Sequence, residues 1–165
     1  MSAPFAFPNP QVSRVPQGAL AFAADFDPQT MIVMGIFGDA YFGDELGQAR
    51  AKLLPSDWTL TKSGDFYTDT RGSQCKRVNY YGSPASETRQ WWLDRQMICE
   101  LDPLGWFEWY CHYWLGRRVA RYDDWQIDRW RSFKARQLPM YYATRYPGSA
   151  QALLHWGIRA EGGLF

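Results

Sequence analysis

Between Trp106 and Trp114 the chain places six aromatic rings in nine consecutive positions, and this run constrains the fold more than any other stretch. Asp102-Pro103 precedes it, a pairing of a capping side chain with a proline whose fixed φ suits a first helical turn. Gly116-Arg117-Arg118 follows it. A helix over about 103–118, wound at about 100° per residue, sets Trp106, Tyr110, Tyr113 and Arg117 on one face. Phe107, Cys111, Trp114 and Arg118 fall on the adjacent face, and only Glu108, His112 and Leu115 lie opposite. A helix apolar around most of its girth belongs inside a domain. The expected architecture is therefore mainly α, a single compact domain built around this buried aromatic helix. A small β-hairpin within 58–81 is compatible with it, and α+β is the alternative class.

The rest of the chain is read around that helix. Residues 1–18 hold four of the ten prolines and read as a Pro-rich extended arm. Residues 19–160 read as one globular domain, and 161–165 as a flexible tail freed by Gly162-Gly163. The apolar run Met31–Phe37 suits a buried strand or the buried start of a helix equally. Gly38–Glu45 reads as a turn-rich loop. It lacks the Gly-Lys-Ser/Thr ending of a phosphate loop and the acid spacing of a calcium loop. Helices are expected over Asp44–Leu54, from Ser83 or Ser86 to about Met97, from Asp123 or Asp124 to about Leu138 with Pro139 as the stop, and from Ala150 to about Arg159. Around Trp58, Leu60, Phe66, Tyr67, Val78 and Tyr80 the alternation permits a hairpin or an irregular loop.

Composition narrows the chemistry. The net charge is +1, so no global field drives the chain onto nucleic acid or anionic lipid. Residues 117–136 nevertheless carry seven basic side chains against three acids, and Arg outnumbers Lys 14 to 4 over the chain. Arginine stacks on flat rings and binds carboxylate or phosphate through two parallel donors, which lysine does not. Three cysteines without a CxxC spacing indicate neither a disulfide framework nor a zinc cluster, and read as reduced thiols in a cytoplasmic protein. No apolar run reaches a membrane span, and no secretion signal is read at the N-terminus.

The run Asp102-Pro103-Leu104-Gly105-Trp106-Phe107-Glu108-Trp109-Tyr110-Cys111-His112-Tyr113, continued by Gly116-Arg117-Arg118, resembles the DPxGWFxWYCxYxxGRR core of an uncharacterised protein family. Gly38-Asp39-Ala40-Tyr41, Asp124–Trp130 and Gln151–Trp156 resemble its flanking segments. The resemblance covers roughly residues 35 to 158 and implies a shared fold and site, with no reaction attached. Where the family's motif has Gln and Arg, this chain has Glu108 and His112.

Candidate sites follow from residue type and position. Tyr41, Trp106, Tyr113, Arg117, Arg118 and Arg129 are the expected ligand-binding residues, rings for stacking and guanidiniums for an anion or a base edge. Asp39, Glu108, His112, Cys111 and His155 are the catalytic candidates, although Cys111 reads first as a buried core thiol. Neither a metal site nor a cofactor is expected from two histidines and three scattered cysteines. The residues favour recognition of a nucleobase, nucleotide or unpaired nucleic acid. The alternatives are a small cofactor-independent enzyme on a flat or anionic metabolite, with an aromatic cavity around the small-molecule ligand, and a partner-binding protein of inhibitory or structural role. Substituting Arg117 or Arg118 by Ala is expected to harm function more than stability.

Overall fold

A computed structural model describes residues 10–37, 41–60, 79–83 and 85–160. The aromatic run forms helix α5, Trp106–Trp114, shorter than the expected 103–118. Glycines set both ends. Gly105 enters at φ 106° and Gly116 leaves at φ 105°, a region where a side chain is strained. Within α5, Trp109, Tyr110 and Cys111 are wholly buried, and so is Glu108 on the face expected to be polar. The helix is thus enclosed around most of its girth, with His112 and Trp114 partly exposed.

Among the described residues two short strands make a sheet, and they lie outside 58–81. Strand β1, Val12–Arg14, pairs antiparallel with β2, Arg117–Val119, in the register Val12↔Val119, Ser13↔Arg118, Arg14↔Arg117. Pairing continues past the sheet: the Val15 amide donates to the Gly116 carbonyl at 2.8 Å and the Gly18 amide to the Trp114 carbonyl at 2.9 Å. The described part of the proline-rich arm is therefore laced along the exit of α5. The arginine pair accordingly sits on a strand, not at a helix C-terminus. Most of 58–81 lies outside the described residues; its first position, Trp58, belongs to a short helix α3, Ser56–Leu60, and is buried.

The remaining helices wrap this centre. Helix α1, Pro28–Val33, is capped by Asp27, whose carboxylate accepts from the Thr30 amide at 2.8 Å, with Pro28 opening the first turn. The apolar run after Gln29 is thus the end of a helix and a turn, and it buries Met31, Ile32, Ile36 and Phe37. Helix α2, Glu45–Ala51, is capped by Asp44 as expected. Helix α4, Arg89–Asp94, is capped by Thr88 and not by Ser83 or Ser86.

Helix α6, Tyr122–Thr144, runs straight through Pro139, which was expected to end it. Proline removes one amide donor and crowds one carbonyl. Continuing the helix buries Tyr141 on the far side of it. Its cap position is Arg121, because Asp123 turns away from its own helix to accept from Trp109 Nε1 at 2.8 Å and from the Val119 amide at 2.7 Å. Helix α7, Pro147–His155, starts and stops earlier than the expected 150–159, with Pro147 in its first turn.

One continuous core joins these pieces into a mainly α compact domain. Phe22, from the segment before α1, is its hub, with ring centroids 5.1 to 6.2 Å from Trp106, Trp109, Tyr110, Tyr113 and Trp130. No described helix is long and apolar enough to cross a membrane.

Candidate functional site

Two polar regions flank the buried helix. The first lies under α5. Arg117 donates to both oxygens of Asp102, at 3.0 and 2.5 Å, and Tyr122 donates its hydroxyl to the same carboxylate at 2.7 Å. Arg50 of α2 donates from Nε to Glu108 Oε2 at 2.6 Å and from its second nitrogen to the Leu101 carbonyl at 2.9 Å. Glu108 Oε1 accepts from the Leu104 amide at 3.1 Å. Tyr41 closes the circuit: its hydroxyl donates to the Leu104 carbonyl at 2.9 Å and accepts from the Glu108 amide at 3.1 Å. His112 stands i+4 from Glu108, with Nε2 3.4 Å from Glu108 Oε2 and 4.0 Å from Asp102 Oδ1.

The electrostatics are those of a sealed, neutralised centre. Two carboxylates with zero exposure meet two guanidiniums, which is the condition for keeping ionised groups out of water. Burial, followed by the nearby Glu108 charge, pushes both the Tyr41 hydroxyl and the Cys111 thiol well up. Cys111 therefore keeps its proton, the inert behaviour of a core thiol. Burial alone would lower the Arg117 guanidinium, but its hydrogen bonds to Asp102 more than offset that and raise it.

The second region lies farther along the same face of α6, toward Trp92 and Trp156. Arg129 lies with its guanidinium carbon 4.5 Å from the Trp125 ring, 5.4 Å from Trp156 and 5.8 Å from Trp92. It donates to the Met97 carbonyl at 3.1 Å and to Gln126 Oε1 at 2.9 Å. Among the described residues no carboxylate pairs with it. Burial lowers its pKa to about 10, so it stays charged at neutral pH. The rings beside it form a column: Phe133 stacks on Trp156 at 4.7 Å, and Trp156 meets Trp106 at 4.7 Å. Arg95 lies 3.7 Å over Trp91, which abuts Trp92, and Arg136 lies 6.0 Å from Phe133. Arg95 and Arg136 are exposed and the rings between them half-buried.

A ladder of three α6 side chains joins the two regions. Arg129 donates to Gln126, Gln126 Nε2 donates to the Tyr122 hydroxyl at 3.2 Å, and Tyr122 donates to Asp102. The spacing 122, 126, 129 puts these side chains on one helix face.

The fold thus gathers Tyr41, Glu108, Cys111, His112 and Arg117 around Asp102, and places Arg129 at the far end of the ladder. Trp106 is buried, its Nε1 donating to the Gln126 carbonyl at 3.2 Å. Tyr113 and Arg118 form a latch: the guanidinium covers the ring at 3.6 Å and donates to the carbonyls of Tyr113, Arg117 and Ala19. His155 is interior, with Nε2 2.9 Å from Gln151 Nε2 and its ring stacked on Phe37 at 4.8 Å. Asp39 lies outside the described residues.

Asp102 and Arg50 of the centre and the three indoles around Arg129 were not legible as site residues in the sequence. Asp102 had the sequence context of a helix cap. The one legible signal was Trp125-x-x-x-Arg129, an i,i+4 pair on a helix; Trp92 and Trp156 arrive from elements distant in sequence. No family model, curated protein or solved structure matches the chain.

Proposed function

We propose that the protein recognises a nucleotide or a stretch of unpaired nucleic acid on the face where α4, α6 and α7 meet. One observation carries this reading: Arg129 is a half-buried cation held among three tryptophans with no carboxylate partner among the described residues. Desolvating a guanidinium without a carboxylate costs stability, and such groups concentrate where a ligand supplies the missing charge. A phosphate or a base edge is that charge, taken by a planar fork of donors. Trp156, Phe133 and Trp92 supply ring faces for a base, and Arg95 and Arg136 border them with further charge. A net charge of only +1 over the whole chain fits a local contact better than broad duplex binding. The two buried free thiols, Cys99 and Cys111, accord with a cytoplasmic setting.

Titration of tryptophan fluorescence with a short oligothymidylate and with adenosine monophosphate, at low and moderate salt, tests this. Saturable quenching that weakens with salt, and weakens about tenfold or more in Arg129→Ala, is the expected result. Absence of any change with either ligand at low salt overturns it.

A further inference from the structure

The centre under α5 holds a second site of different chemistry. One ligand atom from each of Asp102, Glu108 and His112 lies within 4.8 Å of the other two. His112 Nε2 is buried and has no hydrogen-bond partner, although two carboxylate oxygens face it at 3.4 and 4.0 Å. In a tetrahedral zinc site with bonds of about 2.1 Å, adjacent ligand atoms stand about 3.4 Å apart. The Glu108–His112 edge has that length already, and the Asp102–His112 edge is slightly longer.

Each oxygen that faces His112 also retains accepting capacity. Asp102 Oδ1 takes one donor, Arg117 at 3.0 Å, while its other oxygen holds the second Arg117 nitrogen and Tyr122. Glu108 Oε2 takes Arg50 at 2.6 Å, while Oε1 holds the Leu104 amide. These outer contacts fix both carboxylates in place, as the surroundings of metal-binding carboxylates do.

Charge decides how a cation enters. With both arginines in place the centre is neutral, and a divalent ion would leave it with two uncompensated positive charges. Arg117 is locked by its fork on Asp102. Arg50 is held less firmly: its side chain is 22% exposed, it touches Glu108 through a single nitrogen, and it lies on a separate short helix. We propose that Asp102, Glu108 and His112 form a divalent transition-metal site of the zinc type, which fills by displacing Arg50 from Glu108. Two carboxylates and one imidazole select borderline ions such as zinc and cobalt over calcium or magnesium, which take oxygen ligands alone. Arg50 is then a built-in competitor that holds Glu108 while no ion is present.

The test uses the full chain stripped with a chelator and titrated with cobalt(II) chloride, read by visible absorption, and with zinc chloride, read by calorimetry. One ion per chain and the visible bands of a low-coordinate cobalt(II) centre are expected. His112→Gln should abolish both. The other histidine, His155, is committed to Gln151 and contributes nothing. Arg50→Met should tighten binding by roughly tenfold or more, because it removes the competitor and a nearby positive charge. Glu108→Gln keeps the shape and an acceptor for Leu104, and serves as a second loss-of-binding variant should His112→Gln fold poorly. Binding that persists unchanged in His112→Gln or Glu108→Gln overturns the proposal, as does an Arg50→Met protein that binds no more tightly than the parent. Absence of binding in both the parent and Arg50→Met overturns it too.

Discussion

Arg117 and Asp102 face each other as a fork, two guanidinium nitrogens on two carboxylate oxygens, with the acid wholly enclosed and the base 10% exposed. This pairing ties strand β2 to the turn that precedes α5. Arg117, expected among the ligand-binding residues, thus has an internal partner for its charge. Arg117→Ala leaves a buried carboxylate with Tyr122 as its main partner, and should cost about 3–5 kcal/mol of unfolding free energy. Arg118→Ala removes a half-exposed latch onto carbonyls and should cost about 1 kcal/mol. Urea melts of the two variants separate these outcomes; equal losses would show that the fork is no stronger than the latch.

Gly116 has a similar structural burden. Its φ of 105° suits glycine, and a Cβ built there would overlap the Val15 carbonyl oxygen. Gly116→Ala should cost about 2 kcal/mol or more and loosen the β1–β2 pairing. Tryptic cleavage after Arg14, on β1, should accelerate in the variant relative to cleavage after Arg131 on α6. Unchanged relative rates would mean that the arm is not held by this register.

His155 should make the fold acid-sensitive. Burial holds its folded-state pKa at about 4, against 6.5 when free. The unfolded chain therefore takes up a proton near pH 6.5, and the folded chain resists until about pH 4. Stability is full above the higher value, falls as pH drops between the two, and levels off below the lower. The whole loss is on the order of 3 kcal/mol. The Gln151 amide already donates to Ile36 at 2.7 Å, and its second hydrogen points at the imidazole, which must accept. Chemical denaturation between pH 7 and pH 5 should show the decline in the parent and a flatter profile in His155→Leu. Parallel profiles would exclude His155 as the source.

Arg129 should behave in the opposite way to Arg117. Among the described residues its guanidinium meets no carboxylate, and burial depresses its pKa to about 10. Arg129→Met keeps the length, packs against the same indoles and removes the unpaired charge. Even after discounting the partial exposure, Tm should stay level or rise, by an amount equivalent to about 1 kcal/mol. Nucleotide binding should be lost. A residue whose removal stabilises the protein and silences it is kept for function; a large drop in Tm would instead place Arg129 with the structural arginines.

Much of the frame was legible in the sequence. The density of rings between Trp106 and Trp114 demanded a buried helix in a mainly α domain, and Asp44 before Glu45 marked a true helix start. The ends of elements were less legible. Pro139 breaks a helix on propensity, yet α6 continues to Thr144 with Tyr141 buried beyond it. Asp123 has the position of a cap, yet its carboxylate is drawn away by Trp109 and Val119. In both cases a tertiary contact outweighs a local preference worth about 1–3 kcal/mol.

The candidate sites divide along the same line. Side-chain chemistry alone marked Arg117, Arg118 and Arg129 as alike, because a guanidinium has the same donors and charge wherever it stands. Only the folded chain distinguishes them, by what it brings within 3 Å of each. Asp102 arrives at Arg117 from 15 positions away, Ala19 at Arg118 from 99, and among the described residues no carboxylate arrives at Arg129. The sequence by itself determined that an aromatic helix would be buried and that arginines would lie near it. The tertiary structure decided which arginine meets a carboxylate and which, among the described residues, meets only a carbonyl, an amide and rings, because Coulomb attraction and desolvation act on distance in space and not along the chain.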